Sequence, residues 1–373
     1  MIPTSASAKT HALLIASSVL LASATALAQD PPPAEAAPPA EAAPPAAEPA
    51  PAPAAEAAPA PAEAAPAEAV PPAETPVTAP PEAGKPKPPP YSLPWQLRPV
   101  VAGTVLRSDT AFAFYKNPVN DESASTIASM LLFSYKIGES FAPMVRLGFV
   151  SNSPPDAPAP APQSGSSFIN PVVGGTYAIK LSPELKLALF LGLTVPIGTG
   201  GGDDPDVDTV AANAAGIRAR SAMDNAMFAV NDFTIFPGVG FAYVNGGFTA
   251  QVEATLLQLM RVKGEDLPNS DSSKTNFTAG LHLGYFFIPQ LSLGAEIRHQ
   301  RWLSTPKTIE GGNATYEEAT LRDTTTFAVG PRVHFKVGEK SWFRPGIAFA
   351  MPLDNPMKDA DYKIVQLDLP FIF

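Results

Sequence analysis

The last twelve residues of the chain, 362–373, read YKIVQLDLPFIF. Successive side chains of a β-strand point to opposite faces, so a strand with one apolar face shows an apolar residue at every second position. Here the opposite face carries Tyr362, Gln366 and Asp368. We therefore predict a closing strand whose apolar face consists of Val365, Leu367, Leu369, Phe371 and Phe373.

This alternation, ending in an aromatic C-terminal residue, resembles the closing strand of Gram-negative outer-membrane β-barrel proteins. In that family the final strand is read by the barrel-assembly machinery. The resemblance implies that Phe371 and Phe373 form the assembly signal, that the machinery and outer-membrane lipid are partners, and that the protein is a small, porin-like channel.

The N-terminal region predicts export. Residues 1–28 read as a signal peptide, because a short apolar run, 12–22, follows Lys9 and ends in the small residues of an Ala-Leu-Ala site, with cleavage expected before Gln29. The run is too short to span a bilayer as a helix, which argues against the alternative of a retained anchor. The chain has no cysteine, so a lipoprotein is excluded.

Residues 29–90 consist almost entirely of Pro, Ala and Glu. Proline fixes φ and removes hydrogen-bond donors, so we predict a disordered, partly polyproline II periplasmic linker. About 60 residues at ~3.1 Å each would reach ~190 Å, enough to come close to the peptidoglycan. A solvated spacer without a partner is the alternative.

Residues 91–373 predict an all-β fold, an antiparallel transmembrane β-barrel of about twelve strands. Trp95 is expected to be the first aromatic residue of a membrane-interface girdle. The predicted strands are 95–106, 126–137, 141–152, 168–180, 185–198, 233–244, 247–262, 276–287, 291–303, 326–337, 342–353 and 362–373.

The connections between these strands support the barrel. Short turns near 138, 182, 245, 289 and 339 alternate with long loops at 107–125, 153–167, 199–232, 263–275, 304–325 and 354–361. Short periplasmic turns and long external loops are typical of outer-membrane barrels. A soluble sandwich or jelly roll is the alternative, but it has no reason to sort its loops by length.

The strand faces opposite the apolar ones would line a lumen. Many of these positions are Gly or Ala, which predicts an open bore, and the charged ones are mainly basic, which predicts a mild preference for anionic or zwitterionic solutes. Pairing of these charges across the lumen is the alternative. The predicted solute path comprises Arg98, Arg146, Glu253, Glu296, Arg298, Arg332, His334 and Arg344.

The longest predicted loop, 199–232, contains an Ala-rich segment with good helix propensity, for which Asp208 is the predicted N-cap. This helix could fold into the mouth and place Arg218 and Arg220 as a constriction, or lie outside as a lid. Asp204, Asp206 and Asp208 have the spacing of a calcium loop, but the turn glycine and the last glutamate are missing, so no metal site is predicted.

Several classes of function are disfavoured. The net charge of -10 comes largely from isolated glutamates of the linker, and no basic surface indicates nucleic-acid binding. No nucleophile elbow occurs, and no histidine precedes a serine by two residues as in barrel phospholipases, so neither an enzyme nor a cofactor is predicted. The sequence predicts a passive channel for small hydrophilic or amphiphilic solutes. A structural or adhesive barrel tethered towards the cell wall is the alternative.

Overall fold

The computed structural model describes residues 91–117, 121–155, 162–265, 271–304 and 323–373. The predicted signal peptide and linker, residues 1–90, lie outside the described residues. Among the described residues, no helix is both long enough and apolar enough to cross a membrane.

Fourteen strand segments form one antiparallel sheet. They are β1 (Val105–Lys116), β2 (Ser123–Ser134), β3 (Phe141–Ser153), β4 (Gly165–Lys180), β5 (Leu185–Thr194), β6 (Asp232–Asn245), β7 (Phe248–Arg261), β8 (Ser273–Ile288), β9 (Leu291–Trp302), β10 (Thr324–Val333), β11 (Phe335–Val337), β12 (Ser341–Phe343), β13 (Gly346–Pro352) and β14 (Lys363–Ile372).

The sheet closes on itself because β1 pairs with β14, from Val105 opposite Ile372 to Phe114 opposite Lys363. β10 and β11 are consecutive pieces of one barrel strand, and so are β12 and β13, which both pair with β14. The architecture is therefore a closed barrel of twelve strands, as predicted. Closure matters in a bilayer, since it leaves no strand edge without hydrogen-bond partners.

Short and long connections alternate around the barrel. A two-residue hairpin between β6 and β7 uses Gly246 and Gly247 at φ +57° and +85°, a left-handed conformation that glycine adopts without steric cost. We call the end with the short turns the turn end and the other the loop end. In outer-membrane barrels the short turns face the periplasm.

The outer surface carries an apolar belt and, near the turn end, a ring of exposed aromatic residues. Alternation along β7 shows how the two faces arise: Val252 and Leu256 point outward, whereas Gln251, Glu253 and Thr255 point into the lumen and are buried. A closed barrel with this surface is a transmembrane barrel of the outer-membrane type. The exposed aromatic residues at the turn end include Tyr135, Tyr177, Tyr243, Tyr285 and Phe335.

The predicted first strand is wrong. Residues 95–104 are not a strand, and β1 runs from Val105 to Lys116, mostly through the stretch predicted as the first loop, 107–125. Trp95 is 1% exposed and lies inside the barrel, so it is not part of the aromatic girdle. The error has a physical cause: the outward face of β1 includes Ser108 and Thr110, which weaken its apolar alternation.

Two short helices lie in the connection between β5 and β6. They are α1 (Val207–Ala219) and α2 (Asn225–Phe228). The N-cap of α1 is Asp206 and not the predicted Asp208: the Asp206 carboxylate accepts a hydrogen bond of 3.0 Å from the Thr209 amide. Asp208 lies in the first turn, where a negative charge favours the helix dipole.

Candidate functional site in the lumen

The lumen is filled from both ends, by two different parts of the chain. From the turn end, residues 91–100 precede β1 and enter the barrel as an irregular segment, which we call the N-terminal plug. From the loop end, residues 195–231, which contain α1 and α2, fold into the barrel, and we call them the loop insert. The bore predicted from the Gly and Ala positions is therefore occupied.

Side chains of the wall bind the main chain of the N-terminal plug. The Glu296 carboxylate accepts hydrogen bonds from the amides of Trp95 at 2.8 Å and Gln96 at 3.0 Å. The Glu253 carboxylate accepts from the Arg98 amide and forms an ion pair with the Arg98 guanidinium. Because a buried segment without strand or helix must have its amides satisfied elsewhere, these carboxylates are what keeps the plug inside.

The carbonyl groups of the plug are satisfied in the same way. The Arg107 guanidinium donates to the carbonyls of Pro94, at 3.0 Å, and Trp95. The Gln366 side chain donates to the Trp95 carbonyl at 3.0 Å, and the Gln251 side chain donates to the Arg98 carbonyl at 2.7 Å. Donors and acceptors of the wall thus alternate along the plug main chain.

Glycines of the wall make room for the plug side chains. A Cβ atom at Gly280 would lie 2.4 Å from Leu97, and one at Gly284 would lie 2.1 Å from the Ser92 hydroxyl. The Trp95 ring lies against Gly294 and Gly346, where an added Cβ would approach it to 3.2 Å and 2.8 Å. These glycines do not keep a bore open, as the sequence suggested; they form the floors of side-chain sites.

A buried carboxylate, Asp368, organises the wall around Trp95. It accepts from Arg107 at 2.7 and 3.0 Å and forms an ion pair with Arg332, and the Arg332 guanidinium lies 4.5 Å from the centroid of the Trp95 ring. Stacking of a guanidinium on an aromatic ring is favourable, more so away from water. Trp95 is therefore held by its ring as well as by its main chain.

The loop insert is held by ion pairs between side chains. Arg220, which is fully buried, donates to Asp109 of β1 at 2.9 and 2.6 Å and to Asp224 of its own segment at 2.9 Å. Arg146 of β3 also pairs with Asp224. Each charge in this group has an opposite charge within hydrogen-bond distance, which buried charges require.

The innermost turn of the loop insert has a strained backbone. Ser221 and Ala222 are both at φ +54°, a left-handed conformation that residues with a Cβ seldom adopt. Both residues are buried next to Arg220. The ion pairs of Arg220 and the surrounding packing hold this turn in place against the strain.

Two wall residues connect the plug to the loop insert. Gln366 donates to the Trp95 carbonyl and, at 2.9 Å, to Asp109, which binds Arg220. Arg298 donates to Glu296, which binds the plug, and at 3.3 Å to the Ser221 hydroxyl of the loop insert. The two occupants of the lumen thus share one polar network.

The structure places most of the predicted solute-path residues inside the barrel. Arg146, Glu253, Glu296, Arg298, Arg332 and His334 are inward-facing wall residues that are already engaged: His334 lies 2.8 Å from the Ser292 hydroxyl, and the others are in ion pairs. Arg344 is partly exposed and contacts the Tyr91 carbonyl at 3.4 Å. Arg98 is not a wall residue, because it belongs to the plug.

The predicted constriction residues behave differently from each other. Arg220 lies at the centre of the ion-pair group, whereas Arg218 remains partly exposed at the end of α1. Phe371 and Phe373, the predicted assembly signal, lie on the outer face of the closing strand, with ring centroids 4.7 Å apart.

Other functional residues were missed by sequence reasoning. Arg107 and Asp109 fell in the predicted first loop, and Tyr91 and Trp95 were not expected in the lumen. A signal was available for the pair, since Arg107 and Asp109 are separated by two positions and so share one face of a strand. Apart from Arg107, the hydrogen-bond partners of Trp95 are Gly294, Glu296 and Gln366, which lie 199 to 271 positions away in the chain and leave no local signal.

The described residues offer no group of three or more candidate metal ligands. Hydrogen bonds from Thr209, first from its hydroxyl and then from its amide, lower the pKa of Asp206 at the exposed start of α1. This carboxylate is therefore occupied as a helix cap.

Comparison with known proteins gives structural neighbours only. No protein-family model and no curated protein matches the chain. Among solved structures, the KdgM porin is 10% identical, covers 72% of this chain and 99% of its own, and has a TM-score of 0.39. The NanC porin is 9% identical over 71% and 98% of the two chains, with a TM-score of 0.41. A Pseudomonas aeruginosa FadL homologue is 10% identical over 73% and 90%, with a TM-score of 0.35.

These identities and TM-scores are too low to transfer an activity, so the assignment depends on the molecule itself. The closed twelve-strand sheet, the apolar belt, the aromatic ring at the turn end and the amphipathic closing strand are the features that carry it. The described part of the chain is a small β-barrel of the outer-membrane type.

Proposed function

We propose that the protein is a gated channel for small hydrophilic or amphiphilic solutes and that the N-terminal plug is its removable element. One observation carries the proposal: the sheet closes through β1 and β14 without any strand contribution from residues 91–100. The plug can therefore leave the lumen without opening the barrel.

The way the plug is attached supports its removal towards the turn end. It is joined to the wall covalently only at its C-terminal side, through residues 101–104, and its remaining contacts are hydrogen bonds, ion pairs and packing. Its N-terminal side continues into the predicted periplasmic linker. A pull on that linker, or competition for Glu296 and Glu253, would release it.

Withdrawal of the plug would expose a wall with a mildly basic turn end. Arg98 would leave with the plug, but Arg344, which forms no ion pair with any residue in the described part of the chain, would lose its contact with Tyr91. Arg332 would lose the Trp95 ring. This arrangement supports the expected preference for anionic or zwitterionic solutes.

The test is the conductance of purified protein in planar bilayers. Because the loop insert also occupies the lumen, the test uses a barrel in which a short Gly-Ser linker replaces residues 200–229. Further removal of residues 91–100 from that barrel should raise stepwise currents at least about tenfold, with an anion-selective reversal potential in a salt gradient. The matched control lacks residues 31–90 and keeps the plug, so it should remain closed. A correctly folded barrel without the plug that carries no current would contradict the gate.

A structural barrel tethered towards the cell wall by its linker is the second candidate. The occupied lumen favours it, because a protein that only anchors needs no bore and gains rigidity from buried ion pairs. Deleting 31–90 separates the two functions: envelope attachment through the peptidoglycan should be lost, whereas solute passage after plug removal should not. We assign the protein no catalytic activity.

A further inference from the structure

We infer that the turn-end half of the lumen is a binding site for the main chain of short peptides and that the N-terminal plug occupies it as an internal ligand. The inference rests on the proposed function and names the class of solute for it.

The contacts that hold the plug are mostly contacts to its main chain. Wall side chains bind the amides of Ser92, Trp95, Gln96 and Arg98 and the carbonyls of Tyr91, Pro94, Trp95 and Arg98. Any peptide that adopts the bent course of the plug presents these groups in the same order, whatever its side chains. The recognition is therefore of peptide backbone more than of one sequence.

Three of the wall side chains that bind the plug are positioned by other wall residues. Arg107 is oriented by the two oxygens of Asp368, which Arg332 binds from the other side. Glu296 is held by Arg298, which also contacts the Gln366 side chain at 3.0 Å. These wall contacts do not include the plug, so Arg107, Glu296 and Gln366 keep their partners when the plug leaves, as a preorganised site requires.

The site selects side chains at defined positions. A planar aromatic residue fits between Gly294 and Gly346 beneath the Arg332 guanidinium, and a small aliphatic side chain fits over Gly280. Four residues, from Trp95 to Arg98, carry the central contacts, and the chain bends at the first three of them. The favoured ligand is thus a peptide of about four to six residues with one aromatic side chain. A sugar lacks the alternating amide and carbonyl groups.

The experiment measures binding to the barrel that lacks residues 91–100, in detergent micelles, without reference to current. The probe is a fluorescein-labelled peptide with the sequence of residues 94–100, PWQLRPV, followed by anisotropy. Unlabelled competitors are the same peptide, a peptide of the same composition in another order, the same peptide with N-methylated Trp and Gln amides, and maltotriose.

The expected result has three parts. The reordered peptide should compete within about tenfold of the native sequence, because the main chain provides most contacts. The N-methylated peptide should be weakened at least about tenfold, because it cannot donate to the Glu296 carboxylate. Maltotriose should not compete. Glu296→Gln in the same barrel should weaken the unmodified peptide and affect the N-methylated one much less.

Three outcomes would overturn the inference. If only the native sequence competes, the site is specific for the plug and does not bind peptides in general. If the N-methylated peptide binds as tightly as the unmodified one, the site does not recognise the main chain. If no peptide binds to a heat-modifiable, folded barrel, the site does not exist. A barrel that conducts but binds no peptide contradicts only this inference. One that binds peptide but does not conduct contradicts only the proposed channel.

Discussion

The N-terminal plug and the loop insert fill the same lumen by opposite means. The plug has no regular structure, so wall side chains satisfy its main chain and glycines accommodate its side chains. The loop insert satisfies much of its own backbone in α1 and α2, and side-chain ion pairs hold it. The plug is attached to the barrel at one end, whereas β5 and β6 hold the insert at both ends. This difference indicates that the plug is the part that can leave.

The largest expected loss of stability is at Glu296, because its carboxylate binds both the plug main chain and Arg298 of the wall. Glu296→Ala removes the acceptor of two plug amides and leaves the buried Arg298 without its carboxylate, so we expect a loss of about 3–5 kcal/mol in the free energy of unfolding. Urea unfolding in micelles measures this loss. Glu339→Ala, at an exposed turn position, is the control and should change little.

The plug itself can be followed through Trp95. In a Trp302→Phe, Trp342→Phe background Trp95 is the only tryptophan, since the chain has three. Glu296→Ala should then make its fluorescence much more accessible to acrylamide. If Glu296→Ala destabilises the barrel while Trp95 stays protected from acrylamide, Glu296 stabilises the wall but does not hold the plug. That result would contradict the claim that wall side chains retain the plug.

The next largest effect is at Arg220, which holds the loop insert. Arg220→Met leaves Asp109 and Asp224 with fewer partners in a buried site, and we expect a loss of about 3 kcal/mol in the free energy of unfolding. Arg218→Met, in the last turn of α1, is the control two positions earlier and should cost less than about 1 kcal/mol, because Arg218 is partly exposed.

Arg220→Met also tests how far the two regions are independent. Acrylamide quenching of Trp95 should rise less than it does with Glu296→Ala, because Gln366 and Arg298 still connect the plug to the wall. Equal quenching in both variants would mean that the plug and the insert leave together, as one unit.

A smaller effect is expected from a substitution that fills the space over Gly280, where the Leu97 side chain of the plug lies. Gly280→Ala places a Cβ 2.4 Å from Leu97, and such overpacking costs about 1–3 kcal/mol. Since the barrel closes without the plug, the unfavourable contact should displace the plug and leave the barrel folded. Acrylamide quenching of Trp95 should therefore rise, whereas the free energy of unfolding of the barrel should change little. The double variant Gly280→Ala, Leu97→Ala should restore protection of Trp95. Failure of this rescue would show that Leu97 does not fill the site over Gly280.

The smallest effect concerns the loop insert alone. Asp206→Asn keeps a side-chain oxygen at the N-cap but removes the charge, and Asp206→Ala removes the cap, for a loss of about 1 kcal/mol. Amide exchange of α1 should rise in Asp206→Ala, while Trp95 quenching should not change. Asp208→Ala, in the first turn, is the control.

The pH dependence of this cap has a definite sign. Hydrogen bonds from Thr209 lower the pKa of Asp206 in the folded protein, so its contribution is present above the unfolded pKa of about 4 and is lost as the pH falls through the lower folded value. The difference in urea midpoint between the natural chain and Asp206→Asn should therefore shrink as the pH falls below about 4 and vanish once the folded carboxyl is protonated. A difference that persists there would contradict the charged cap.

The sequence alone determined the wall of the barrel. Eleven of the twelve predicted strands coincide with observed ones to within a few residues, and the short and long connections alternate as predicted, because a period of two and a turn such as Asn245-Gly246 are local properties. The prediction of the first strand failed because the sequence of residues 95–106 alternates as a strand would, although 95–100 belong to the irregular plug and contact the lumen and not lipid.

Only the tertiary structure decided what fills the lumen. Glu296 and Gln96 are 200 positions apart, and no local pattern shows that one binds the other. In the sequence, an inward-facing glycine such as Gly280 is compatible both with an open bore and with a site that accommodates the side chain of Leu97. The alternating faces come from the geometry of a single strand, whereas the occupancy of the bore depends on contacts between distant segments, which only the closed barrel brings together.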